Sequence, residues 1–214
     1  YICIGLISDI PLLCIPSANP LFLASILQNH GSRSLTISVP SLWDAILDLV
    51  QSLNIRLHTT ISCGEPLRTA TGLLLSSVST HSSYNFYGST ELATWAFYYE
   101  LTSSGLQSLV DSNSPYVPIG VPLPGVNFMQ YTNSELCISC EHSSRLYIQG
   151  GISVKPRYLS INSPDDFFMT GDRISYDTPI PPNVFCNGRV DSLIKVRGAF
   201  IDLYDLQSLL VDLL

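Results

Sequence analysis

Between residues 19 and 101, short apolar runs alternate with stretches of helical spacing, and this alternation constrains the fold more than any other feature of the chain. "SLTISVP" (34–40), "RLHTTISCG" (56–64) and "SYNFYG" (83–88) have strand length and strand composition. Asn19-Pro20 predicts a helix that runs to Gln28 and closes at Gly31, since asparagine caps a helix and proline fits its first turn. Ser41 is expected to cap a second helix with Leu42, Ala45, Ile46, Leu49 and Val50 as its apolar face. A third is expected from Pro66 to about Ser77. "PLLCIP" (11–16) reads as a buried strand ahead of these, and "TWAFYYEL" (94–101) as one behind them. Strands separated by helices predict an α/β fold with a parallel βαβ layer, whose ligands sit beyond the carboxyl ends of the strands. Gly64-Glu65 and Gly88-Ser89-Thr90-Glu91 each follow such an end and are expected to face one crevice.

From about Pro115 the texture changes. "PYVPIGVPLPGVNF" is rich in proline and glycine, and "GVNFMQY", "ELCIS" and "RLYIQGG" follow as short strands. We therefore expect three parts: an α/β subdomain over 1–117, a β-rich subdomain over 118–185, and a final segment, 186–214, with two strands and an amphipathic helix starting near Leu203. Apolar residues make up 46% of the chain and charged ones only 13%, about half the usual charged share. So little polar surface predicts a piece of a larger protein whose apolar faces are covered by further parts of the same molecule.

Seven of the ten basic side chains lie at or after Arg145, in a chain of net charge -7. No basic face exists for a nucleic-acid polymer, whereas the late group around Arg189, Lys195 and Arg197 suits a small anionic ligand. Residues 10–32 are uncharged, but Pro16 and Pro20 would break a spanning helix, so no membrane partner is expected. Cys137 and Cys140 form one C-x-x-C without a second pair, which reads as reduced cysteines in a hairpin rather than a zinc site. A cytoplasmic location follows.

Several polar residues punctuate the apolar runs. Glu91 beside Thr90 pairs a carboxylate for a hard cation with a hydroxyl for a phosphate oxygen. Asp172 sits in a Thr-Gly turn, where an exposed carboxylate can accept both hydroxyls of a ribose. Arg189, Asp191, Lys195 and Arg197 fall within nine residues. Taken singly, each fits an ordinary turn or surface ion pair.

Taken together and in order, "ISCGEPL" (61–67), "NFYGSTE" (85–91), "IGVPLPG" (119–125), "LYIQGG" (146–151), "MTGDRISY" (169–176) and "GRVDSLIKVRGAFID" (188–202) resemble core motifs of the adenylate-forming superfamily. That superfamily includes acyl-CoA synthetases and the adenylation domains of nonribosomal peptide synthetases. Within it, the chain looks closest to the β-alanine-activating, aminoadipate-semialdehyde-dehydrogenase-like acyl-CoA synthetases. The resemblance implies a partial adenylate-forming fold ending in the start of a C-terminal lid. It implies Tyr87 stacked on adenine with Asn85 and Gly88 nearby, and Gly64-Glu65 lining the nucleotide's other side. By the same resemblance Thr90 would touch the α-phosphate, Glu91 would ligate Mg²⁺, Asp172 would hold the ribose and Arg189 would contact ribose or phosphate. Asp191 would be the hinge of the lid and Lys195 would face the acyl group. Ile37, Ile61, Cys63, Phe86, Thr94 and Trp95 would line an acyl pocket kept short by its two aromatic members.

The implied activity is that of an acid–thiol ligase. A small carboxylic or amino acid is adenylated by ATP and then passed to the thiol of CoA or of a carrier protein's phosphopantetheine. The family's phosphate loop and catalytic lid lysine would lie outside these 214 residues. The isolated chain is therefore expected to be inactive. The alternative is a truncated remnant that binds nucleotide or a partner without catalysis.

Overall fold

The computed structural model describes residues 13, 19–92, 95–141, 147–149, 152–154, 158–159, 166–177, 183–191, 193–196 and 199–202. The expected strand at 11–16, apart from Leu13, and the expected helix near Leu203 lie outside them.

The first half builds one five-stranded sheet from β1 (Leu35–Ser38), β2 (Leu57–Cys63), β3 (Ser79–Tyr87), β4 (Phe97–Glu100) and β5 (Val121–Pro122), in that spatial order. β1, β2 and β3 are parallel, as the helical crossovers require. β4 runs antiparallel to β3, contrary to an all-parallel layer. The reason is local: a 3₁₀ turn at Thr90–Leu92 joins β3 to β4, and so short a link cannot carry the chain back for a parallel crossover.

Helix α1 spans Pro20–His30, and the Asn19 side chain caps it by accepting from the N–H groups of Leu21 and Phe22. Helix α2 spans Pro40–Ser52 with Val39 as its N-cap, two residues ahead of the expected Ser41 cap. Pro40 takes the first helical position, and the N–H of Ser41 is satisfied from outside by Oε2 of Glu65, 3.0 Å away. The buried stripe of α2 is Trp43, Ile46, Leu47 and Val50, rotated from the expected face; Ala45 is exposed, and Leu42 and Leu49 flank the stripe. Trp43 sets this rotation by burying its whole side chain. Helix α3 spans Thr69–Val78, starting three residues later than expected. An unanticipated α4 spans Ser103–Asp111, capped by Thr102 and buried through Leu106 and Leu109. Leu57, Leu67, Leu75 and Leu106 join these helices in the first core.

A second sheet has the order β10 (Tyr158–Leu159), β11 (Phe167–Tyr176), β7 (Glu135–Cys140), β6 (Val126–Gln130), and β12 (Val184–Arg189) pairs with the far part of β11. Residues 185 and 186, where two of the expected parts meet, are both inside β12. β8 (Tyr147–Gln149) pairs with β9 (Ile152–Val154), and β13 (Leu193–Val196) with β14 (Ala199–Asp202). Cys137 and Cys140 both lie in β7, three residues apart, and so point to opposite faces of the strand. Among the described residues no helix is long and apolar enough to cross a membrane.

Candidate functional site

The site forms where the end of β3 meets β11 and β12. The hydroxyl of Tyr87, the last residue of β3, donates to Oδ2 of Asp172 at 2.5 Å. Nη1 of Arg189 donates to the other oxygen, Oδ1, at 3.1 Å. Asp172 and Arg189 are register partners in β11 and β12. Arg189 also clamps Asp191 with two bonds, Nε to Oδ1 and Nη2 to Oδ2, both 2.7 Å. A chain of hydrogen bonds thus joins residues from three sequence motifs and two sheets.

Burial sets the electrostatics. It pushes the Asp172 carboxyl above the usual aspartate range, and the bonds from Tyr87 and the charge of Arg189 pull the other way without cancelling it. The Tyr87 phenol is pushed well above its usual range, first by burial and then by the Asp172 charge. Burial raises the Cys186 thiol to about 11. Arg189 is raised, chiefly by its bonds to Asp191, and stays a cation. An ionised carboxylate offers about four lone-pair sites. Tyr87 and Arg189 take one on each oxygen of Asp172, which leaves acceptor capacity for two ligand hydroxyls.

The other expected site residues divide. Gly64 adopts φ +91°, a left-handed turn that suits glycine, at the end of β2. Glu65 follows it with Oε2 on the α2 N-terminus and Oε1 buried without a hydrogen bond. Asn85 is buried, and its amide is committed to the carbonyl of Pro118 at 2.9 Å, a bond that ties β3 to the segment before β5. Gly88 lies between β3 and the 3₁₀ turn; within that turn Thr90 is exposed and Glu91 half-buried. Glu91 makes no side-chain hydrogen bond among the described residues, and no group of three metal-ligating side chains occurs among them. Lys195 falls in β13 opposite Phe200. Thr94 lies outside the described residues.

Four of the expected acyl-pocket residues, Ile37, Ile61, Cys63 and Phe86, share one sheet face. Ile37 pairs with Ile61, and Cys63 with Phe86, while the two-residue spacing puts Ile61 and Cys63 on the same side of β2. The rings of Phe86 and Trp95 lie 4.5 Å apart. Tyr98 stacks on Phe86 at 6.0 Å and Tyr84 meets it edge-on at 6.0 Å, so four rings cluster there. Tyr84 and Tyr98 were not anticipated. The two-residue period from Phe86 signals Tyr84, and only the antiparallel pairing of β4 brings in Tyr98.

No protein-family model matches the chain. The chain is 26% identical over 239 residues to the β-alanyl-bioamine nonribosomal peptide synthetase ebony of Drosophila melanogaster, covering 97% of this chain and 26% of that protein. It is 27% identical over 183 residues to a D-alanine–D-alanyl carrier protein ligase of Staphylococcus aureus, covering 82% of this chain and 35% of the ligase. Its structure superposes with a TM-score of 0.69 on NpsA-ThdA, an artificially fused adenylation–PCP di-domain from Klebsiella oxytoca, at 22% identity over 94% of this chain and 37% of that one. The chain has the adenylation-domain fold. It spans only a quarter to a third of the length of these two curated relatives, so it carries part of that fold. Within this partial adenylation fold, the Tyr87–Asp172–Arg189 arrangement lies where the two five-stranded sheets meet.

Proposed function

We propose that the protein containing this chain activates a small carboxylic or amino acid as its acyl-adenylate and passes the acyl group to a thiol, on CoA or on a carrier protein's phosphopantetheine. The observation that carries the proposal is the bonding of Tyr87, Asp172 and Arg189, which turns three separated motifs into one surface able to grip a ribose beside a phosphate. In this reading two ribose hydroxyls donate to the free lone pairs of Asp172, the Tyr87 ring covers adenine and Arg189 faces phosphate. Gly64 and Gly88 let backbone approach the nucleotide, and Thr90 meets the α-phosphate. Asp191, held by Arg189, is the hinge residue, and Lys195 approaches the acyl group when the lid turns.

Adenylation joins a carboxylate oxygen to the α-phosphorus of ATP and breaks the bond to pyrophosphate. Both partners are anionic, so charge must be offset. Mg²⁺ is held by one or two carboxylates plus substrate phosphates, and a half-buried Glu91 without a protein partner among the described residues fits that role. When bound, Mg²⁺ supplies electrostatic stabilisation of phosphate charge. The ring cluster of Phe86, Trp95, Tyr98 and Tyr84 shortens the acid pocket, and the alignment with ebony across 97% of the chain favours β-alanine as the acid.

The test is acid-dependent exchange of labelled pyrophosphate into ATP by the full-length protein, across β-alanine, D-alanine, glycine and aryl acids. Exchange with a small acid, strongest with β-alanine, is expected. Absence of exchange with every acid, alongside tight adenosine-nucleotide binding, would support the remnant reading instead.

A further inference from the structure

We propose that Glu135 is the positioning residue that aims Asp172 at the ribose, acting through the backbone of Gly171; the inference rests on reading the crevice as an adenylate site. The pairing of β11 with β7 places Met169 opposite Cys137 and then Arg173 opposite Glu135, so β11 spends two residues more than its partner over this stretch. Such a bulge takes backbone groups out of the ladder, and buried ones must find other partners. Here side chains supply them. The Gly171 N–H donates to Oε1 of Glu135 at 2.9 Å, and the Leu136 carbonyl accepts from the Thr170 hydroxyl at 2.9 Å. The Asp172 N–H donates to that same hydroxyl at 3.1 Å, and the Gly171 carbonyl accepts from Val190 N–H at 2.8 Å.

Glu135 is fully buried. A buried carboxylate is costly unless its oxygens are engaged. Oε1 holds Gly171, and Oε2 accepts from Asn133 Nδ2 at 3.4 Å, while Asn133 Oδ1 accepts from the Glu135 N–H at 3.1 Å. The Glu135 bond to Gly171 fixes the backbone there, at φ +80°, directly before Asp172, whose side chain meets Tyr87 and Arg189.

The experiment titrates the full-length protein and its Glu135→Ala, Glu135→Gln and Asn133→Ala variants with AMP and with 2′,3′-dideoxy-AMP. Wild type is expected to prefer AMP. Glu135→Ala should weaken AMP about tenfold and the dideoxy nucleotide much less, because the lost aim matters most to the ribose hydroxyls, which Asp172 binds directly. Glu135→Gln keeps an acceptor for Gly171 and should stay within about threefold of wild type. Should Glu135→Ala fail to fold, Asn133→Ala shows the same pattern on a smaller scale, about two- to threefold on AMP. Equal losses on both nucleotides, or no loss on either, would overturn the proposal while the adenylate reading stands. A wild type that binds neither nucleotide, or binds both equally, would overturn the two together.

Discussion

Replacing Gly171 by alanine imposes two separable costs. The first is backbone strain: φ is +80°, and an L side chain there costs about 1–2 kcal/mol. The second is steric. A Cβ would stand 3.0 Å from Cζ of Arg189 and closer still to Nη2, so the guanidinium must move. Moving it breaks the 3.1 Å bond to Asp172. A hydrogen bond to a charged group is worth about 1.5–3 kcal/mol, which we reduce to about 1–2 because both side chains keep about a fifth of their surface in water. Gly188 supplies the control. Its φ is +95° and nothing lies within 4 Å of its Cβ position, so Gly188→Ala carries strain alone. In urea unfolding monitored by circular dichroism, Gly188→Ala should lose about 1–2 kcal/mol and Gly171→Ala about 2–4 kcal/mol. In titration with AMP, Gly171→Ala should weaken binding about tenfold and Gly188→Ala should not. Equal nucleotide affinities for the two variants would refute the claim that Arg189 is held in place by the absence of a side chain at Gly171.

Further outcomes follow from the same geometry. The Asp172 carboxyl titrates above its unfolded value, so the fold binds this proton more tightly than the unfolded chain does. Its contribution is therefore full in acid below the unfolded value of about 4 and is lost as pH rises through the raised folded value. Asp172→Asn should gain urea stability relative to wild type as pH goes from about 4 to 7, while losing AMP affinity; a stability difference that does not vary with pH would contradict this. Asn85→Ala leaves the buried Pro118 carbonyl without its donor and should cost about 1–3 kcal/mol in the same unfolding assay. Phe86→Ala opens the four-ring cluster, so pyrophosphate exchange should shift toward larger acids, with the preferred small acid slowed about tenfold or more.

The layer of alternating strands and helices was legible because its signals are local. Asn19-Pro20 announces α1, and the apolar runs announce β1, β2 and β3. Two local signals misled. Ser41 is a good capping residue, but Pro40 ahead of it starts α2 earlier, and Glu65, twenty-four positions on, satisfies the freed N–H. The stretch of α4 is full of serine and glycine, so its helix depends on Thr102 as a cap and on burial of Leu106 and Leu109. In the site, Tyr87, Asp172 and Arg189 were readable as motif members, and the structure brings them within hydrogen-bond reach. Asn85 reads as a site residue, and its amide donates to Pro118, a partner thirty-three residues away that no spacing reveals. Glu135 escaped notice for the same reason. Its role exists only because β7 and β11 pair out of step.

The central claim is that the crevice at Tyr87, Asp172 and Arg189 holds an acyl-adenylate. The most direct measurement is calorimetric titration of the full-length protein with a non-hydrolysable acyl-sulfamoyl-adenosine in the presence of Mg²⁺, beside its Glu91→Ala, Asp172→Ala double variant. Saturable binding that weakens at least about a hundredfold in the variant is predicted, since two charged contacts are lost. A folded wild type that takes up no analogue, or a double variant that binds it as tightly as wild type, would contradict the account.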